Sequence, residues 1–140
     1  LKVWNYSLDW AYKQPSLAGV GSFQLEWSYL SWATGDPSFR DAVLRIRRRL
    51  VALEAQHGHY PTTLNPETGE GSNTWFSLGA GSDSFHEYAV KAVAQSGGAD
   101  QEARAMARKV FSKTKAVAWT HPVSQLLRLS QGSSGMEHLE

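Results

Sequence analysis

The sequence predicts a mainly helical protein in which helical hairpins alternate with short β-hairpins. Three observations carry this prediction. Apolar residues recur at helical spacing through four long windows. Stop-and-restart signals, Thr34-Gly-Asp-Pro37 and Gly97-Gly-Ala-Asp100, divide those windows into pairs. An order of inner helix, outer helix and hairpin then runs through the chain twice, with Glu26 and Glu87 at similar places in the two halves. Helical hairpins recurring in this way point to a solenoid or a closed helical ring, whose repeats bury their flanks against neighbours. Two such units alone are expected to leave apolar surface uncovered.

Residues 1–15 are aromatic and irregular and end at Pro15. Ser16 is placed to cap a first helix running to about Ala33. That helix is apolar nearly all round (Val20, Phe23, Leu25, Trp27, Tyr29, Leu30, Trp32), which predicts an inner position. Gly35 ends it, Asp36 caps the next helix and Pro37 fits its first turn. The second helix runs to about Gln56, with Phe39, Val43, Ile46, Leu50 and Leu53 on its apolar side. Its basic run, Arg45-Ile-Arg-Arg-Arg49, reads as a solvated face. Tyr60–Asn65 is extended, Pro66-Glu-Thr-Gly69 turns the chain, and Asn73–Ser77 returns as a partner strand. A third helix starts near Ser82 and stops before Gly97-Gly98. A fourth runs from Asp100 to about Val117, with Ala103, Met106, Ala107, Val110 and Phe111 inward. Ser124–Ser130 reads as a further strand.

Composition narrows the function. With 41% hydrophobic residues in 140, the chain has enough apolar matter for one core. A net charge of +1 gives no basis for a nucleic-acid partner or an anionic membrane surface. The absence of cysteine excludes disulfides and thiolate chemistry. No apolar run is long enough to span a bilayer, and no signal-peptide segment is present. A first residue of Leu1 without such a signal is what a portion of a longer protein would show.

Carboxylates among small and apolar residues supply the candidate chemistry. Glu26 lies mid-helix with Phe23, Leu25, Trp27, Tyr29 and Leu30 around it, so a buried or functional role is expected from the cost of burying an unpaired charge. Asp83 and Glu87, four apart, share a helix face and can bind a cation, accept bonds from sugar hydroxyls, or divide acid and base roles. Asp83 also suits a cap at a helix start, and Glu87 a helix surface. The spacing of His57 and His59 gives little support for a metal site. The chain contains no phosphate-binding glycine loop, Ser-His-Asp pattern or zinc signature.

Four segments, in order, resemble the class I α-1,2-mannosidases of glycoside hydrolase family 47. They are Val20-Gly-Ser-Phe-Gln-Leu-Glu26 with Leu30-Ser and Thr34-Gly-Asp36; Gly58-His-Tyr-Pro-Thr-Thr-Leu-Asn-Pro-Glu-Thr-Gly69; Phe76-Ser-Leu-Gly-Ala-Gly-Ser-Asp83-Ser-Phe-His-Glu87-Tyr88; and Met136-Glu-His-Leu139. The resemblance implies that residues 1–140 are part of an (α/α)7 barrel, about two of its seven helical hairpins, with β-hairpins plugging one end. It implies calcium-dependent hydrolysis of terminal α-1,2-linked mannose from high-mannose N-glycans, with inversion at the anomeric carbon, in the secretory pathway or outside the cell. Asp83 matches a catalytic acid, Glu26 lines the pocket for the reacting mannose, Glu87 matches the second acid of the Asp83 motif, and Glu137 and His138 match an acidic-His pair at the same subsite.

The resemblance also marks departures. His86 stands where a second aromatic is usual, Ala89 where a Leu is usual, and Gly81 where relatives often carry Arg or a large apolar residue. The family's calcium-holding threonine, its upstream acid and its downstream base have no counterpart in this chain. The expectation is therefore a processing mannosidase whose activity needs the remainder of the catalytic domain, these 140 residues alone being inactive. Two other classes compete with it. One is a non-catalytic relative that recognises mannose-trimmed glycans in glycoprotein quality control. The other is a plain helical-repeat interaction module, which predicts that Glu26 and Asp83 face solvent or merely cap.

Overall fold

The computed structural model describes residues 14–72, 76–120 and 127–129. Among these residues the elements are α1 (Leu17–Gly21), α2 (Gln24–Thr34), α3 (Ser38–His57), α4 (Asp83–Gln95), α5 (Gln101–Val117), β1 (Ala118–Thr120) and β2 (Leu127–Leu129). The fold is mainly helical, as the periodicity predicts, and the helices pair as α2 with α3 and α4 with α5.

The punctuation reads directly into local structure. Gly35 and Gly58 end α2 and α3 in the left-handed conformation, at φ 74° and 73°, where a Cβ would be strained. The Asp100 carboxylate accepts from the Ala103 amide at 2.9 Å and so caps α5. Asp36 helps α3 by accepting from the Ser38 amide at 2.9 Å, although Pro37 occupies the cap position itself.

Three expectations need correction. The single helix expected from Ser16 to Ala33 is two, α1 and α2, broken at Ser22 and Phe23. Gly21 is a weak helix former at that point, and the Ser22 hydroxyl donates to the Ala18 carbonyl at 2.6 Å instead of continuing the ladder. Nor is this segment internal. Of α2 only Gln24 is buried, while Tyr29, Leu30 and Trp32 are exposed, Trp32 at 77%. An all-round apolar helix needs neighbours on every flank, and α2 finds them only in α3 and α4. Phe111, expected to point inward from α5, is exposed for the same reason.

The third correction concerns the arginine run. Arg47 is buried, not solvated. Its Nε and Nη2 donate to Gln24 Oε1 at 3.1 and 2.9 Å, and its Nη1 pairs with Asp100. Burial is tolerated because the guanidinium donates to both partners, and the cluster joins α2, α3 and the cap of α5. Glu54 of the same helix is also largely buried and pairs with Lys109 at 3.2 Å.

The core is Leu17, Leu50, Leu53, Tyr60, Leu64, Phe85, Ala89, Met106 and Val110, drawn from both hairpins and the loop between them. That loop folds as its residues dictate. Asn65 Oδ1 accepts from the amides of Glu67 and Thr68, Gly69 closes the turn on the Asn65 carbonyl, and Leu64 bridges Gly71. Most of the expected return strand, residues 73–75, lies outside the described residues. Thr63 bridges Ser16, which docks this loop beside α1. β1 and β2 pair antiparallel with Ala118 opposite Leu129, and β2 falls within the run 124–130. The irregular reading of residues 1–13 also falls outside the described residues.

Candidate functional site

The candidate site is a face where α2 crosses α4. The loop entering α4 sets its position. Gly81, at φ 86°, takes a left-handed backbone conformation that a residue with a Cβ would adopt only with strain. Its carbonyl accepts from the Ala18 amide of α1 at 2.8 Å. The Gly79 carbonyl accepts from the amides of Ser82 and Asp83, both at 3.0 Å. Asp83 is thereby delivered as the first residue of α4, with its side chain exposed. Asp83 Oδ1 accepts from the Ser84 amide at 2.9 Å, so the carboxylate helps satisfy the helix start.

Glu26 sits in the first turn of α2 and is exposed, not buried as expected. The burial argument for it therefore does not hold in this chain. Its geometry gives another. Tyr88 Oη donates to Glu26 Oε1 at 2.8 Å, joining the first motif to the third. Two turns beyond, Gln95 Nε2 donates to the Leu25 carbonyl at 2.9 Å and fixes the crossing. Glu87 pairs with Lys91 at 2.6 Å across one turn, and Lys91 Nζ lies 5.4 Å from the centre of the Tyr88 ring. Glu26, Glu87, Tyr88 and Lys91 thus form one polar cluster, with Asp83 a turn upstream of Glu87 on the same helix. It is an open face and not the pocket the sequence led us to expect. A small cavity does exist, but it lies in the core between Gly21, Gln24, Arg47, Phe85 and Met106.

Electrostatics keep the two donors of the cluster, Tyr88 and Lys91, protonated. The hydrogen bond to Glu26 raises the Tyr88 hydroxyl above its ordinary value, so it remains a donor throughout the neutral range. The bond to Glu87 likewise raises Lys91. Glu26 keeps Oε2, and Glu87 its second oxygen, as acceptors that face water. Such an array can take hydroxyl donors from a polyol.

Glu137 and His138 lie outside the described residues. Among the described residues no three His, Asp or Glu side chains converge to hold a metal ion. Tyr88, Lys91 and Gln95 were missed as site residues. The Glu87–Lys91 spacing is visible in the sequence, but the Tyr88–Glu26 pair depends on how two helices cross.

The arrangement can be compared with known proteins. The sequence model of glycosyl hydrolase family 47 matches residues 3–138. The mannosyl-oligosaccharide alpha-1,2-mannosidase IA of Drosophila melanogaster is 47% identical over 90 residues, 64% of this chain and 14% of that protein. The mannosyl-oligosaccharide 1,2-alpha-mannosidase IB of Homo sapiens is 40% identical over 90 residues, again 64% of this chain and 14% of that protein. The structure of the alpha-1,2-mannosidase from Trichoderma reesei superposes with a TM-score of 0.76 at 25% identity, covering 87% of this chain and 27% of that one. The chain thus spans about a seventh of the length of these curated relatives.

Proposed function

The chain belongs to glycosyl hydrolase family 47, and from that premise we propose that it forms part of the catalytic domain of a mannosyl-oligosaccharide α-1,2-mannosidase. The observation that carries the proposal is the Tyr88–Glu26 hydrogen bond, which joins two family motifs on one face. In this proposal the substrate is a terminal α-1,2-linked mannose of a high-mannose N-glycan. Glu26 and Glu87 accept bonds from its hydroxyls, and Asp83 is a catalytic carboxyl group at the scissile bond. Glu137 and His138 complete the same subsite.

Hydrolysis proceeds with inversion. One carboxylic acid protonates the leaving oxygen while a second carboxylate, from another part of the parent, activates water on the opposite face of the ring. Calcium belongs to the parent's site, held by donors beyond the described residues. The rest of the barrel's seven hairpins covers the apolar flank of α2, and the parent works in the secretory pathway or outside the cell. No helix among the described residues is long and apolar enough to cross a membrane. The relatives reported above carry mannosidase names, and the glycan-recognition alternative draws no support from them.

The test is Asp83→Asn in the parent protein. The expected result is loss of mannose release from a high-mannose oligosaccharide, with the glycan still bound and the circular dichroism unchanged. Wild-type turnover in that variant returns Asp83 to helix capping.

A further inference from the structure

His86 is a buried histidine whose two ring nitrogens are differently used. It is 8% exposed and packs against Phe76 and Phe85, with ring centres at 5.7 and 5.4 Å. Its Nε2 lies 2.8 Å from the Ser77 carbonyl. A carbonyl only accepts, so Nε2 carries the proton. Nδ1 is buried and has no partner among the described residues. The neutral Nε2–H tautomer is therefore the form that fits. A second proton would sit on Nδ1 facing no acceptor.

The bonded carbonyl opens the loop that ends at Asp83. Ser77 Oγ accepts from the Gly79 amide at 3.0 Å, and the Gly79 carbonyl holds the amides of Ser82 and Asp83. A hydrogen-bonded path thus runs from the His86 ring through Ser77 and Gly79 to the Asp83 backbone. A phenyl ring at this position would fill similar space without this N–H.

Resting on the mannosidase reading of Asp83, we propose that His86 is a positioning residue for Asp83. Its neutral imidazole clamps the Ser77 carbonyl and so fixes the loop of residues 76–82 that sets the carboxylate at the head of α4. Burial lowers the imidazole below its ordinary value of 6.5, against the Ser77 bond and the charge of Asp83, which raise it. The charged groups near it are Asp83 on its own helix and Lys113 of α5, whose Nζ lies 5.7 Å from the centre of the Phe76 ring. Both protonation states keep the Nε2–H, but because the folded-state value is lowered, the buried neutral ring contributes stability above pH 6.5 that is lost as pH falls below it, loosening the packing that holds the clamp.

Two variants of the parent test this. His86→Phe keeps the packing and removes the donor; His86→Gln keeps a donor at the position of Nε2 and cannot titrate. Hydrogen exchange by mass spectrometry on residues 76–83 should quicken roughly twofold to tenfold in His86→Phe, the effect of losing one hydrogen bond. It should return to wild type in His86→Gln. The kcat for mannose release should fall in His86→Phe with KM little changed. In His86→Gln kcat should recover, with a flatter decline below pH 6.5. Unchanged exchange in His86→Phe, or failure of His86→Gln to restore it, overturns the clamp. A parent that releases no mannose even as wild type defeats the mannosidase reading and the role toward Asp83, while exchange still decides the clamp.

Discussion

Gly21→Ala should loosen the packing beneath the candidate site, although alanine is the better helix former. Gly21 is the last residue of α1 and lies against Phe85 of α4. A Cβ at that position would come within 2.4 Å of Phe85 Cδ2 and 3.2 Å of Cγ. The ring is fully buried with Tyr60 at 4.7 Å between centres, and the small cavity beside it takes up only part of the displacement. Overpacking of this kind costs about 1–3 kcal/mol. The helix-forming advantage of Ala over Gly offsets at most about 1 kcal/mol, and less at a helix end. The net loss is about 1–2 kcal/mol, a roughly fivefold to thirtyfold rise in local opening. Amide exchange in α1 and α4 of the parent protein reads it directly. The Phe85→Leu background supplies the control. With the ring edge gone, Gly21→Ala should become neutral or mildly favourable, so the two substitutions are strongly non-additive. Equal or slower exchange in Gly21→Ala alone would refute the close approach of α1 to α4.

Further outcomes follow from the same geometry. Arg47→Ala leaves Gln24 Oε1 and Asp100 without their buried donor and should destabilise the fold by about 3 kcal/mol, measured by urea unfolding of the parent. Burial works to raise Asp100, but the Ala103 amide and Arg47 outweigh it and hold the carboxyl below its ordinary 3.8; its contribution is therefore present above pH 3.8 and lost on further acidification, a loss that Arg47→Met should diminish in acid unfolding curves. Tyr88→Phe should raise KM for the oligosaccharide more than it lowers kcat, because it frees the Glu26 carboxylate that the tyrosine orients; unchanged steady-state kinetics would remove Glu26 from the site. The 140-residue chain alone should bind a hydrophobic dye and self-associate through the uncovered rings of α2, and a dilute solution that melts sharply and reversibly would contradict that.

The helix limits were legible because their signals are local: left-handed glycines after α2 and α3, and an aspartate three residues before the amide it caps in α5. The inward faces of α3 and α5 were legible where apolar spacing was regular, as at Val43, Leu50, Leu53, Met106 and Val110. What failed depended on partners distant in sequence. Arg47 could not be separated from its neighbours in a run of arginines, because its burial rests on Gln24 and Asp100. The break between α1 and α2 escaped notice because Gly21 serves Phe85, far along the chain, more than it serves its own helix.

Glu26 shows how a residue can be selected for the wrong reason and still stand in a polar cluster that joins two motifs. Its apolar neighbours implied burial, yet Phe23, Tyr29 and Leu30 are themselves exposed and Leu25 and Trp27 only half-buried, and the exposed rings of Tyr29 and Trp32 pack tilted at 5.4 Å between centres. Contiguous exposed rings of this kind mark a surface made to be covered. The cost of burying Glu26 is therefore not incurred within these residues, and it passes to whatever covers α2. An acid on such a face needs a partner in place before the face closes, and Tyr88 supplies one at 2.8 Å. The pairing leaves Oε2 uncommitted, so covering the flank would turn an open polar cluster into a walled one without moving it. On the proposed function, the remainder of the domain would supply the walls of the site, while the α2–α4 crossing already brings Glu26 and Glu87 into one cluster.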